Sequence, residues 1–153
     1  MTLTFTPATV ELSGTVTVML PVDRAFPLFS PEGEKLWVPG WAPEALYPRG
    51  AVWEQGQIFR TQEERGPGVW VISALDRAAH AVEYFRIEAT RYVARVRVRC
   101  EADGPSRTNA HVSYLFVGLT DAGNADIAEM TREAYAEKMQ RWERMIEEHL
   151  HGR

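Results

Sequence analysis

The sequence has very little cysteine: Cys100 is the single thiol in 153 residues, so no disulfide can form within the chain. Basic residues are also in the minority, 17 against 21 acidic ones, which gives a net charge of −4. This balance argues against nucleic-acid binding, which needs a basic surplus. The longest apolar run, Tyr114 to Leu119, is far too short to span a bilayer. The first residues lack a signal-peptide pattern, so we expect a cytoplasmic protein without stable membrane insertion.

Motifs for cofactor and covalent chemistry are missing as well. The sequence contains no phosphate-binding loop, no dinucleotide fingerprint and no nucleophile elbow. Four histidines, His80, His111, His149 and His151, have no cysteine or carboxylate cluster at metal-ligand spacing, so we predict no metal and no cofactor. His80 and His111 are candidates for a catalytic base, although ordinary strand positions explain them too. Cys100, without a histidine partner, is predicted to be a small apolar filler.

What is present fits one domain, spanning residues 1–153, with 45% hydrophobic residues for its core. Apolar and polar residues alternate through much of the chain up to Thr120, and the period then becomes 3.6 from Asn124 to Leu150. This order predicts an α+β fold, in which strands come first and a long C-terminal helix follows. The predicted strands are Thr9–Leu20, Gly56–Glu63, Gly68–Asp76, Ala79–Glu88, Tyr92–Ala102 and Arg107–Leu119.

Two short helices are expected after the first strand. Asp23 is the predicted cap of the first, over residues 23–29, and Ser30 followed by Pro31 is a typical start of the second. Glu34 would lie near the positive end of that second helix. Turn signals between later strands, such as Gly66-Pro67-Gly68, predict antiparallel hairpins.

Several segments resemble the START-like SRPBCC superfamily of polyketide cyclase/dehydratase-like and lipid-transport-like proteins. They are residues 25–41, 56–59, 69–71, 80–86 and 108–114, with Tyr135 and Trp142 on the last helix. The resemblance implies a helix-grip fold: a curved antiparallel sheet of six to seven strands wrapped around a long C-terminal helix. It also implies a cavity between the two, whose use varies among members that act as carriers, cyclases, dehydratases or chaperone activators.

Aromatic and methionine side chains are candidates to line that cavity, because they offer rigid or adaptable apolar walls. The predicted ligand-binding residues are Trp37, Trp41, Phe59, Trp70, Tyr84, Arg86, Tyr114, Met130, Ala134, Tyr135 and Met139. Such residues also pack in ordinary cores, and composition alone does not separate the two cases.

The register of the strand around Tyr84 stays open. Tyr84 and Arg86 share one face, and Phe85 and Ile87 share the other, so a shift of one residue exchanges them. We favour Tyr84 inward, because tyrosine offers both apolar area and a hydroxyl. An inward Arg86 would need an acidic partner or an anionic group on the ligand. An exposed strand arginine is the alternative.

Three functions follow as hypotheses. The first is non-catalytic binding of a hydrophobic or aromatic small molecule. The second is a cyclase/dehydratase-like enzyme that uses Tyr84, Arg86, Tyr114 or His111 for proton transfer, and it would require ionisable groups to converge in the cavity. The third is a protein-interaction module such as a chaperone co-activator. Whether the chain is a monomer or a homodimer stays open.

Overall fold

A computed structural model describes residues 4–50, 52–63 and 66–152. It contains seven strands and four α-helices in those ranges. The strands are β1 (Thr9–Val18), β2 (Glu44–Tyr47), β3 (Ile58–Glu63), β4 (Gly66–Asp76), β5 (Ala81–Glu88), β6 (Tyr92–Ala102) and β7 (Thr108–Gly118). The helices are α1 (Val22–Ala25), α2 (Pro31–Glu34), α3 (Asp121–Ala128) and α4 (Arg132–Leu150), with a 3-10 helix at Phe26–Phe29 between α1 and α2.

The strands form one antiparallel sheet in the order β1-β7-β6-β5-β4-β3-β2. The first strand therefore crosses to pair with the last, while every other pair follows chain order. On the inner face the side chains alternate as predicted, with Ala94, Val96, Val98 and Cys100 buried along β6. The predicted α+β fold, with a seven-stranded sheet and a long C-terminal helix, is confirmed.

The C-terminal helical region is broken, whereas the sequence predicted one helix from Asn124 to Leu150. Thr120 and Thr131 each accept a backbone N–H and so start α3 and α4 separately. Asn124, the predicted cap, instead accepts a 2.8 Å hydrogen bond from the Ala8 N–H. With 19 residues at about 1.5 Å each, α4 alone is about 28 Å long, against about 40 Å for the single predicted helix.

The contact between α4 and the sheet lies at β1. Gly14 is inward in the alternation of that strand, and a Cβ there would lie 2.9 Å from Cγ of Met139. Farther along, the Glu143 carboxylate accepts the Thr17 N–H at 2.6 Å. The helix is thus held close to the β1 edge of the sheet.

Other sequence predictions need correction. Ser30 caps α2 as predicted, accepting the Gly33 N–H at 2.9 Å, but Asp23 caps nothing. Its carboxylate lies 2.8 Å from Nε2 of His80. The predicted turn at residues 66–68 is wrong, since these residues already pair with β3.

The short strand β2 was not predicted, because the prolines at positions 43 and 48 made its surroundings read as loop. It pairs with β3 at the far edge of the sheet.

Candidate functional site

A cavity of about 360 Å³ lies between the inner face of the sheet and the helices α2 and α4. We call it the aromatic cavity. Its walls come from α2 and the loop after it, from strands β3 to β7, and from α4. The lining residues are Pro31, Glu34, Val38, Pro39, Gly40, Trp41, Ala42, Phe59, Thr61, Gln62, Glu63, Trp70, Tyr84, Arg86, Val96, Val98, Tyr114, Lys138 and Trp142.

Ring contacts build one rigid wall. Phe59 and Trp70 face each other on β3 and β4, stacked with 5.5 Å between ring centroids and 9° between planes. Trp41 lies edge-on to both rings, and its indole N–H donates to the Pro31 carbonyl at 2.8 Å. The Trp70 N–H donates to the Thr61 hydroxyl at 3.0 Å. Since the indole N–H groups of Trp41 and Trp70 both have partners, these two side chains present ring surfaces to the cavity.

The structure resolves the β5 register in favour of Tyr84 inward, where it is 5% exposed. Its hydroxyl donates to the Phe29 carbonyl at 2.9 Å and accepts from the Trp53 N–H at 3.1 Å. Burial, with the nearby Glu34 charge adding to it, raises the pKa of Tyr84 well above its usual value. Tyr84 is therefore a fixed part of the wall, with its hydroxyl already occupied by protein groups.

Arg86 also points to the cavity side. Its guanidinium lies over the rings of Trp70 and Tyr92, 5.5 Å from each centroid. It donates to the Tyr92 hydroxyl at 2.8 Å and pairs with the Glu88 carboxylate at 3.2 Å. The acidic partner that an inward Arg86 requires is thus Glu88. Among the described residues, its buried Nε has no hydrogen-bond partner.

Glu34 is a cavity residue that the sequence prediction missed, since its place near a helix start suggested an exposed charge. Burial in this surrounding raises its pKa to about 8, while the Lys138 ammonium acts in the opposite direction. Part of the side-chain surface of Glu34 is accessible, because the side chain borders the cavity, so the residue counts as half-buried. A usable signal was its helical spacing: Trp37 and Val38, three and four residues later, also turn inward.

Lys138 lies opposite on α4, with its Nζ 4.1 Å from the centroid of Tyr114 and 5.5 Å from that of Trp142. Placing an ammonium over two aromatic faces is a favourable cation–π arrangement. The cavity therefore brings together an acid, a cation and rings from three parts of the chain.

Of the predicted site residues, six line the aromatic cavity: Trp41, Phe59, Trp70, Tyr84, Arg86 and Tyr114. The others, Trp37, Met130, Ala134, Tyr135 and Met139, are outside its lining. Trp37 is buried behind the wall, against Phe29 and Trp142, and donates to the Leu28 carbonyl.

The difference on α4 comes from the position of the helix near β1. Tyr135 and Met139 are buried there, with the Tyr135 hydroxyl donating to the Val112 carbonyl at 2.7 Å. The helix therefore presents Lys138 and Trp142 to the cavity instead. The apolar stripe identified Tyr135 and Met139 correctly as buried, but the prediction for Ala134 is wrong, since this residue is exposed on α4. The stripe also did not show which edge of the buried face borders the cavity.

The histidines lie away from the cavity. His111 is on the outer face of β7, with its Nδ1 3.2 Å from the Thr15 hydroxyl. His80, which directly precedes β5, pairs with Asp23. Neither is in a position to act on a molecule in the aromatic cavity.

Three larger hollows occur elsewhere among the described residues. One, of about 660 Å³, lies around Arg97, Arg99 and His111 on the outer face of the sheet, and another, of about 650 Å³, lies between β1 and α4. A third, of about 500 Å³, lies around Glu32, β2 and Arg49. In the first hollow, Arg97 forms an ion pair with Glu83 and Arg99 forms one with Glu101. No group of three metal-ligating side chains occurs within the described ranges, and none of their helices is long and apolar enough to cross a bilayer.

No protein-family model and no curated protein matches the sequence. Solved structures do match. Norcoclaurine synthase from Thalictrum flavum, in complex with dopamine and hydroxybenzaldehyde, has 14% identity and a TM-score of 0.65, over 94% of this chain and 89% of the other. The Zhui aromatase/cyclase from Streptomyces has 17% identity and a TM-score of 0.65, over 94% and 96%.

A major latex-like protein from Panax ginseng has 14% identity and a TM-score of 0.66, over 92% and 97% of the two chains. At such identities the likeness concerns the fold. The whole of that fold is shared, since the matches cover nearly all of each chain. The chain has the helix-grip fold that the sequence resemblance predicted.

Proposed function

We propose that the chain binds a hydrophobic or aromatic small molecule in the aromatic cavity. The observation that carries this proposal is a space of about 360 Å³ walled by Trp41, Phe59, Trp70 and Tyr114, rather than a closely packed core. Small-molecule sites are typically concave, largely apolar and preformed. Hydrogen bonds already hold Trp41 and Trp70 in place, so little ordering free energy is lost when a ring enters.

The size of the cavity favours a compact ligand. A volume of about 360 Å³ lies near the lower end of the usual range of ~300–1,000 Å³ for ligand sites. Flat ring surfaces on β3 and β4 suit an aromatic ligand, which can lie edge-to-face or offset against them. The aromatic ligands named for one structural neighbour, dopamine and hydroxybenzaldehyde, are of this kind.

A direct test is binding of 2-acetylnaphthalene and 2-ethylnaphthalene, followed by quenching of tryptophan fluorescence and by the rise in melting temperature that binding produces. Val96→Phe on the inner face of β6 should fill the cavity and weaken binding at least about tenfold, which corresponds to ~1.4 kcal/mol. Val93→Phe, on the outer face of the same strand, is the matched control. Equal affinity in the two variants would place the ligand elsewhere and refute the proposal.

A second candidate function is proton-transfer catalysis of the cyclase/dehydratase kind. What favours it is the meeting of Glu34 and Lys138 at one cavity, which was the condition set by the sequence analysis. A carboxyl with a pKa of about 8 titrates near neutral pH, where a general acid–base group is most effective and contributes typically ~10²–10⁴-fold. Tyr84 is a poor candidate, because its hydroxyl is already hydrogen-bonded to Phe29 and Trp53. His111 is a poor candidate, because it lies on the outer face of the sheet, away from the cavity.

Exchange of the α-protons of 2-acetylnaphthalene in D₂O, followed by NMR, tests this second function separately from binding. We expect exchange above the buffer rate with the wild-type protein and loss of that excess in Glu34→Gln. A bound ketone that exchanges only at the buffer rate would exclude Glu34-dependent enolisation of this ketone and leave the binding function standing.

A further inference from the structure

The Glu34 carboxyl borders the aromatic cavity without a protein partner in the described ranges 4–50, 52–63 and 66–152, where neither a hydrogen bond nor an ion pair within 4 Å reaches it. Its neighbour on the same short helix, Glu32, differs in this respect, because it is exposed and pairs with Lys35 at 2.9 Å. A carboxyl in apolar surroundings is costly to leave unsatisfied. A ligand in the cavity is the natural partner for it.

The backbone around Glu34 fixes its direction. Ser30 caps α2 through the Gly33 N–H, and Gly33 packs so closely on the preceding 3-10 helix that a Cβ would lie 1.9 Å from the Pro27 carbonyl oxygen. Only glycine permits this approach. The helix therefore cannot turn the Cα–Cβ bond of Glu34 away from the cavity without losing both contacts, so this residue keeps its place at the cavity wall.

Most other charged and titratable groups of the cavity make contacts of their own. Arg86 pairs with Glu88, although its Nε has no partner among the described residues, and Glu63 accepts the Thr61 hydroxyl at 2.7 Å. The Tyr84 hydroxyl is held by Phe29 and Trp53, and Tyr114 lies beneath the Lys138 ammonium. Lys138 is the charge whose field acts on Glu34 from the α4 side, and it makes no ion pair within 4 Å among the described residues.

We propose that the ligand carries a neutral hydrogen-bond acceptor, such as the carbonyl oxygen of an aryl ketone or aldehyde, and that Glu34 donates its carboxyl proton to it. The aromatic ring of the same ligand rests on the wall of Phe59 and Trp70. This inference rests on the proposed binding function and adds the chemical class of the ligand and the residue that selects it.

Protonation makes Glu34 a donor at neutral pH. Burial holds its pKa at about 8, so the free protein carries the neutral acid below that pH and the carboxylate above it. A carboxylate can only accept hydrogen bonds and would face the lone pairs of the carbonyl. Affinity for a carbonyl ligand therefore falls as pH rises through about 8. Affinity for a hydrocarbon of the same shape does not fall in this way, because a hydrocarbon accepts no hydrogen bond from Glu34.

The test compares 2-acetylnaphthalene with 2-ethylnaphthalene, two molecules of similar shape, at pH 6.5 and pH 9.5. In the wild-type protein we expect the ketone to be favoured about threefold to tenfold at the lower pH, the usual net effect of one neutral hydrogen bond. The preference should vanish at the higher pH. The carbonyl stretching band of the bound ketone should lie at lower frequency at pH 6.5 than at pH 9.5.

Two variants separate donation from shape. Glu34→Gln keeps an N–H donor without titrating, so it should retain the ketone preference at both pH values. Glu34→Leu has no donor and should show none at either. Glu32→Gln and Glu32→Leu are the matched controls and should behave as the wild type, since Glu32 does not border the aromatic cavity.

The possible failures are distinguishable. If both naphthalenes bind but the wild type shows no ketone preference and no change with pH, the role of Glu34 is refuted and the proposed binding function stands. If Glu34→Leu keeps the preference, another group donates and the assignment is wrong. If neither compound binds, the proposed binding function is refuted for these aromatic probes and this inference with it.

Discussion

The Tyr84 hydroxyl donates a 2.9 Å hydrogen bond to the Phe29 carbonyl and so joins the middle of the sheet to the helical segment that carries Glu34. The Trp53 indole N–H in turn donates to the Tyr84 hydroxyl oxygen at 3.1 Å. One hydroxyl thus satisfies a carbonyl of the 3-10 helix and an indole N–H from the loop before β3. The position of the cavity walls relative to each other depends on this junction.

Removing that hydroxyl should destabilise the protein. Tyr84→Phe keeps the ring but leaves the Phe29 carbonyl and the Trp53 N–H without their partner, which costs about 1–3 kcal/mol. Urea unfolding measures the free energy of unfolding. Tyr47→Phe removes a hydroxyl from a tyrosine that is 72% exposed and should change that free energy by less than about 0.5 kcal/mol. Equal effects of the two variants would contradict the role of the junction.

α4 can lie close to β1 because position 14 is a glycine and has no side chain. Gly14→Val should force Met139 and Tyr135 outward and cost about 1–3 kcal/mol, because a Cβ at this position would lie 2.9 Å from Cγ of Met139 and 3.4 Å from the Tyr135 ring. Ser13→Val places the same side chain on the exposed face of the same strand and should be nearly neutral. Thermal unfolding of both variants checks this, and an unaffected Gly14→Val protein would show that the helix is held elsewhere.

Glu34 should make stability depend on pH in an unusual direction. Its folded pKa of about 8 lies above the ordinary value of 4.5, so in that window the folded state binds a proton that the unfolded state releases. The free energy of unfolding therefore falls as pH rises from about 4.5 to 8. Above this window the ionised, poorly solvated carboxylate costs at most roughly 5 kcal/mol, since the shift from 4.5 to about 8 spans about 3.5 pKa units of ~1.4 kcal/mol each and solvent reaching the half-buried side chain lowers that cost.

Glu34→Gln should remove that dependence. Relative to the wild type, the variant should gain stability progressively with pH and level off above about pH 8, as measured by urea unfolding at several pH values. Glu32→Gln, at an exposed position on the same helix, should follow the wild type. A constant difference between wild type and Glu34→Gln at every pH would mean that the carboxyl titrates normally.

The single thiol should be inert in the folded protein. Cys100 is 4% exposed, and burial raises its pKa to about 12, so almost no thiolate is present at pH 8. We expect a disulfide reagent at pH 8 to label it slowly in buffer and rapidly in denaturing urea. Complete labelling of the native protein within the mixing time would contradict the buried position.

The sequence predicted what depends on local periodicity. Alternation along residues 92–102 placed Val96 and Val98 on the inner face, and the 3.6-residue period identified the buried face of α4 with Tyr135 and Met139. Ser30 followed by Pro31 marked the start of α2 correctly. These features follow from a few neighbouring residues, which is why they could be read from the chain.

The tertiary structure decided which of these faces border empty space. Lys138 and Trp142, rather than Tyr135 and Met139, reach the aromatic cavity because Gly14 lets the helix settle against β1. Glu34 came to border the cavity, where its pKa is raised, because Gly33 packs on Pro27 while strands far away in the sequence form the opposite wall. Hydrophobic periodicity and residue propensities describe each helix or strand separately. A cavity, in contrast, depends on where helices and strands that are far apart in the sequence leave space between them.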